Sequence, residues 1–94
     1  MKVLISPGYG AGWSTWEGEG LATDVRLIDA FERGISEEEM HELCKELGYG
    51  DVYMGGFDEL EIVEVPAGEL FQIREYDGAE YIEIFNPSEW MRAV

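Results

Sequence analysis

Leu60–Phe85 reads LEIVEVPAGELFQIREYDGAEYIEIF, three apolar runs separated by Pro66-Ala67-Gly68 and by Asp77-Gly78. Asp-Gly between alternating runs is the strongest short-range signal for a β-hairpin. The stretch therefore predicts a meander of three antiparallel strands. With Asp77-Gly78 as a two-residue loop, Tyr76 faces Ala79, and counting outward pairs Ile73 with Ile82 and Phe71 with Ile84 on one face, the expected core face. The other face carries Leu70, Gln72, Arg74 and Tyr76 opposite Phe85, Glu83, Tyr81 and Ala79, a mixture suited to partial wetting or to a partner. The same count sets Glu75 against Glu80, where like charges destabilise a sheet. Such a pair marks either a cation or basic partner, or a splayed, solvated edge.

Outward from this stretch, Lys2-Val-Leu-Ile-Ser6 is one more short apolar run, expected as a strand added to the meander and ended by Pro7. Asp51-Val-Tyr-Met54 reads as a further short strand, broken by Gly55-Gly56. Between them, Leu21, Val25, Ile28 and Phe31, with Leu27 flanking, recur at helical spacing; Thr23 or Asp24 caps this first helix and Gly34 ends it. Ser36-Glu-Glu-Glu39 is a capping box that opens a second helix, whose buried stripe is Met40, Leu43, Cys44 and Leu47 and whose C′ residue is Gly48. Beyond Phe85, Asn86-Pro87-Ser88-Glu89-Trp90 has the form of a helix start, with Asn86 capping and Pro87 at the first position. Helices grouped ahead of most strands favour α+β over a doubly wound fold. The expected architecture is an antiparallel sheet of four to five strands, N-terminal strand plus C-terminal meander, covered on one face by two helices in a single domain, 1–94.

The chain of 94 residues carries 21 Asp and Glu against 6 Lys and Arg, a formal charge of −15. Nucleic acid and anionic membranes repel such a surface over a Debye length of ~8 Å, so neither is expected as a direct partner. No run of apolar residues is long enough to span a membrane, no basic, apolar leader follows Met1, and the one cysteine, Cys44, agrees with a reducing compartment. A cytoplasmic setting is the expectation. The charge has a bland reading, solubility, and a sharper one, in which the surface looks like polyphosphate to a DNA- or RNA-binding protein.

The sharper reading has geometric content on the second helix. Glu38, Glu42 and Glu46 recur at i, i+4 and i+8, placing carboxylates about 6 Å apart along one ridge, with Glu37 and Glu39 beside them. A groove lined by Lys or Arg would accept that ridge in place of nucleic acid.

Gly8-Tyr-Gly-Ala-Gly-Trp-Ser-Thr-Trp16 follows the first strand and holds the second lead. It departs from the dinucleotide fingerprint, because its third glycine falls one place early and Trp13 stands where the last glycine belongs, and no lysine follows to make a Walker loop. A looser use remains: amides of Gly8, Gly10 and Gly12, with Tyr9, Trp13 and Trp16, gripping a planar, nucleotide-like ligand by stacking. The competing reading makes the aromatics core and the glycines turns.

Catalytic and metal signatures are thin. His41 and Cys44 lie three apart on the second helix, but a structural zinc site wants four ligands, and His41 is expected at the surface, one turn after Glu37. Ser14 and Thr15 have only that one histidine to serve as base. The expectation is a non-enzyme with no cofactor and no metal.

Residues 2–16 (KVLISPGYGAGWSTW), with Val52-Tyr-Met-Gly-Gly-Phe-Asp58 and Glu75-Tyr-Asp-Gly78, resemble a family of small acidic proteins carried by tailed bacteriophages, over most of the chain. The opening segment is the most specific part. That family has no established activity, so the resemblance transfers no catalytic residues. It implies a role against host machinery, of the anti-CRISPR or anti-restriction type. The functional expectation is a phage accessory protein that binds and inhibits a basic, nucleic-acid-handling host protein through Glu37, Glu38, Glu39, Glu42 and Glu46. The alternative is capture of a small ligand by the loop 8–16.

Overall fold

The computed structural model describes residues 1–85, so the expected helix start at 86–90 lies outside the described residues. Strand β1 (Lys2–Ile5) pairs antiparallel with β2 (Glu61–Glu64), with Val3 opposite Val63 and Leu4 opposite Ile62. Between them come a helical turn α1 (Ser14–Glu17), a 3-10 turn over Glu19–Ala22, helix α2 (Val25–Glu32) and helix α3 (Glu37–Glu46). A hairpin of β3 (Phe71–Tyr76) and β4 (Ala79–Ile84) follows. The fold is α+β.

The hairpin has the register that Asp77-Gly78 dictates: Tyr76 opposite Ala79, Ile73 opposite Ile82, Phe71 opposite Ile84. Asp77 and Gly78 both take positive φ, 52° and 85°, as a type I′ turn requires.

The single sheet of four to five strands is not formed. There are two separate two-stranded sheets, β1-β2 and β3-β4, and Pro66-Ala67-Gly68 carries the chain from one to the other instead of making a second hairpin. The physical reason lies in the apolar faces. Val3, Ile5 and Val65 point to one side of the first sheet and meet Phe71, Ile73 and Ile82 of the hairpin, with Ala22 between. Leu4 and Ile62 point to the other side and join Trp13, Leu21, Leu27, Ile28, Met40, Cys44, Val52 and Leu60 under the helices. A flat meander would leave the first set and the inner face of the hairpin side by side in water; stacking the hairpin on the sheet buries them against each other. β1 is thus covered on both faces, which is why it is a continuous apolar run with no alternation.

Residues 51–54 form no strand. Val52 is buried in the core while Tyr53 is exposed, and the segment is held by side chains: the Tyr53 amide donates to Glu17 at 3.2 Å. Gly56 lies so close to the loop after β1 that a Cβ there would run into the Ala11 carbonyl oxygen.

The helices follow their caps. Asp24 accepts from the Arg26 amide at 2.9 Å, and Ser36 accepts from the Glu39 amide at 3.2 Å. The Glu39 carboxylate takes the Ser36 hydroxyl at 3.0 Å, a variant of the box in which side chain meets side chain. Met40 and Cys44 are buried on α3, with Leu43 and Leu47 packed beside them. The expected stripe of the first helix needs one correction: Val25, as the first residue of α2, is exposed, and Leu27 and Ala30 are buried in its place. The start of α2 faces outward because the 3-10 turn before it, not the helix, carries Leu21 and Ala22 into the core.

Candidate functional site

Helix α3 and the end of α2 enclose an open groove of about 650 Å³. Ala30, Ile35 and Leu43 form its apolar floor, and Glu38, Glu39, Glu42 and Glu46 stand along one wall, with Arg33 on the other. The structure thus gathers four of the five acidic residues expected on this face; Glu37, in the first turn of α3, is exposed but does not line the groove. The local charge is neutralised from within only in part, at Glu42. All five Lys and Arg side chains among the described residues are already paired: Lys2 with Glu32, Arg26 with Asp24, Arg33 with Asp29, Lys45 with Glu42 and Arg74 with Glu83. Glu38 and Glu46 have no cationic partner among the described residues.

The glycine loop is built differently from a stacking slot. Trp13 is 1% exposed and belongs to the core; its indole N–H finds no acceptor among the described residues. Tyr9 is 77% exposed. Trp16 is half-exposed and stacks on Tyr53 with ring centroids 5.9 Å apart and planes 29° from parallel. The loop therefore sends its three aromatics to three environments, and the one ring partner it acquires comes from residue 53. Gly10 donates to the Asp77 carbonyl at 2.6 Å, and Gly78 packs against Gly10, Ala11 and the Trp16 ring, so the loop is wrapped around the hairpin turn. Gly12 lies under the Trp16 ring, and Gly8 lies against Glu59.

Sequence reading missed the residue that organises this loop. Glu80 is 2% exposed, and its carboxylate accepts from the Ser6 amide at 2.9 Å on one oxygen. The other oxygen accepts from the Trp13 amide at 2.8 Å, the Thr15 amide at 2.9 Å and the Thr15 hydroxyl at 2.6 Å. The expected alternatives for the Glu75–Glu80 pair, a splayed edge or a cation site, are both replaced. Glu80 turns inward onto four donors, while Glu75 turns back to its own turn and accepts from the Gly78 amide at 2.8 Å. The only signal in the sequence was the like-charge pair itself.

Four titratable groups are perturbed around the helices, Arg26 among them, raised first by its hydrogen bond to Asp24. The Asp24 carboxyl is held well below the usual carboxylate range, first by its hydrogen bonds from Arg26 and then by the Tyr49 hydroxyl at 2.7 Å. Tyr49 is raised by that same contact. Burial pushes the Cys44 thiol up to about 11. His41 pairs with Asp51, not with Glu37, because the chain turning at Gly48–Gly50 brings Asp51 back beside α3. Among the described residues no group of three or more His, Cys, Asp or Glu is arranged to hold a metal ion, and no helix is long and apolar enough to cross a membrane.

Comparison of the chain with protein-family models, with curated proteins and with solved structures found no match.

Proposed function

We propose that this protein is a non-enzymatic binding module that docks a basic protein against the acidic wall of α3. The observation that carries the reading is the asymmetry of pairing: every described Lys and Arg is engaged internally, while Glu38 and Glu46 flank an apolar-floored groove without a cation. A Lys or Arg side chain from a partner would lay its methylene stem on Ala30, Ile35 and Leu43 and its charge against Glu38, Glu42 and Glu46. Carboxylates spaced at one helical turn approximate neighbouring phosphates, so the partner class is a nucleic-acid-handling protein. The resemblance to small acidic phage proteins makes a host nuclease or CRISPR effector the concrete version. Capture of a nucleotide-like ligand by residues 8–16 is the weaker reading, because the Trp13 and Thr15 amides of that loop are already committed to Glu80.

The test is competition with duplex DNA for a bacterial DNA-processing nuclease, run as a salt series. Binding should weaken by an order of magnitude or more between roughly 50 and 200 mM salt, and the E38K/E42K/E46K variant should lose it while remaining folded. Binding that is indifferent to salt and to the triple reversal would remove the acidic wall from the mechanism.

A further inference from the structure

We propose that the loop from Ser6 to Thr15 is an anion receptor whose ligand is the chain's own Glu80 carboxylate, and that it accepts acetate once that side chain is shortened. Four donors converge on two oxygens at 2.6 to 2.9 Å, three of them backbone amides and one the Thr15 hydroxyl. An ionised carboxylate is acceptor-only, and charge-assisted bonds of this kind are about twice as strong as neutral ones. Loops hold phosphate and carboxylate by aiming several backbone amides at one point, and here those amides come from Ser6, Trp13 and Thr15. Here the bound anion arrives on β4 and not from solution. The loop thereby keeps the chemistry of an anion cradle while being closed to free phosphate, since any such ligand would have to expel a tethered, buried group.

Two of the three donor residues, Ser6 and Trp13, are also held by contacts other than the carboxylate. The Glu80 amide donates to the Ser6 carbonyl at 2.9 Å, the Ser6 hydroxyl donates to the Gly56 carbonyl at 3.3 Å, and the Trp13 side chain is anchored in the core. With these contacts intact, the Ser6 and Trp13 amides keep their places when the carboxylate is removed. Glu80→Ala deletes a CH₂–COO⁻ unit, and acetate is that unit with one added hydrogen. Thr15 also lines an open groove of about 610 Å³ shared with Ser14, Phe71, Gln72, Ile73 and Glu75, which brings solvent to the receptor's edge.

The experiment is thermal unfolding of the wild type, Glu80→Ala and Glu80→Gln in chloride and in acetate at constant ionic strength. Glu80→Gln keeps the receptor filled and serves as the control. Acetate should raise the Tm of Glu80→Ala by roughly 6–11 °C at a concentration about ten times its Kd and leave the other two unchanged. Adding Thr15→Val to Glu80→Ala should abolish most of that rise. Should Glu80→Ala be unfolded in chloride, recovery of its far-UV circular dichroism in acetate is the same result read differently. An equal response in all three proteins, or none in Glu80→Ala by either readout, overturns the proposal.

Discussion

Ser6 and Glu80 are joined twice: the Ser6 amide donates to the Glu80 carboxylate at 2.9 Å, and the Glu80 amide donates to the Ser6 carbonyl at 2.9 Å. This pair is the hydrogen-bonded seam between the two sheets, one residue past the end of β1 and one residue into β4. Removing the side chain leaves the amides of Ser6 and Trp13 buried, and that of Thr15 part-buried, without an acceptor. Each buried orphan costs about 1–3 kcal/mol, so Glu80→Ala should destabilise the fold by at least about 2 kcal/mol. Glu80→Gln keeps one oxygen for Trp13 and Thr15 and turns an NH₂ toward Ser6, so its cost should be about 1–3 kcal/mol. Urea unfolding of both variants checks the order; equal losses would mean that the contact with the Ser6 amide, which both variants lack, carries the whole contribution of Glu80.

How much of this was legible in the sequence depends on how far apart the interacting residues lie. Asp77-Gly78 pins the hairpin register because a two-residue loop leaves only one way to count, and Ser36 and Asp24 cap helices through amides two or three residues away. The split into two sheets was not legible, because Pro66-Ala67-Gly68 is as good a hairpin turn as a crossover, and only the burial of Val3 and Ile5 against Phe71, Ile73 and Ile82 decides between them. Glu80 was illegible for the same reason. Its donors lie 65 to 74 residues away, and they are backbone amides, which leave no trace in residue identity. For the candidate groove, the periodicity of Glu38, Glu42 and Glu46 was readable, whereas the opposite wall at Ala30, Arg33 and Ile35 depends on how α2 packs on α3.

Asp24 should set the acid limb of stability. Its carboxyl lies below the ordinary range in the folded state because Arg26, and then Tyr49, hydrogen-bond to the ionised form. The unfolded value is about 3.9, so the stabilisation is complete above roughly pH 4 and is lost as pH falls toward the lower folded value. Asp24→Ala should cost about 1–2 kcal/mol at pH 7, combining a lost helix cap with the loss of the Tyr49 acceptor. The difference between wild type and variant should shrink as pH is taken below about 4, as followed by chemical denaturation. A difference that stays constant down to pH 2 would show that Asp24 acts by shape alone.

Cys44 should be silent toward thiol reagents. It is fully buried on α3, and burial holds its thiol at about 11, so at pH 8 the nucleophilic thiolate is scarce and shielded. Labelling by a disulfide reagent at pH 8 should proceed only as fast as the protein opens, and adding denaturant should release one thiol per chain. Rapid stoichiometric labelling of the native protein would contradict the packing of α3 against the core.

Glu42 offers a way to separate the cost of the acidic wall from its use. It stands between Glu38 and Glu46 at i−4 and i+4, and its one internal cation is Lys45 at 3.5 Å. Glu42→Lys replaces two repulsive spacings by two attractive ones and gives up the contact with Lys45, so the helix should gain a few tenths of a kcal/mol. With a net charge of −15, raising salt should stabilise the wild type as well, by screening the same repulsion, and should do less for the variant. Melting curves at low and high sodium chloride check both statements. A stabilised variant that also loses its basic partner would mean that the chain keeps a destabilising row of carboxylates for binding. Retained binding alongside the gain in stability would instead assign that row to solubility.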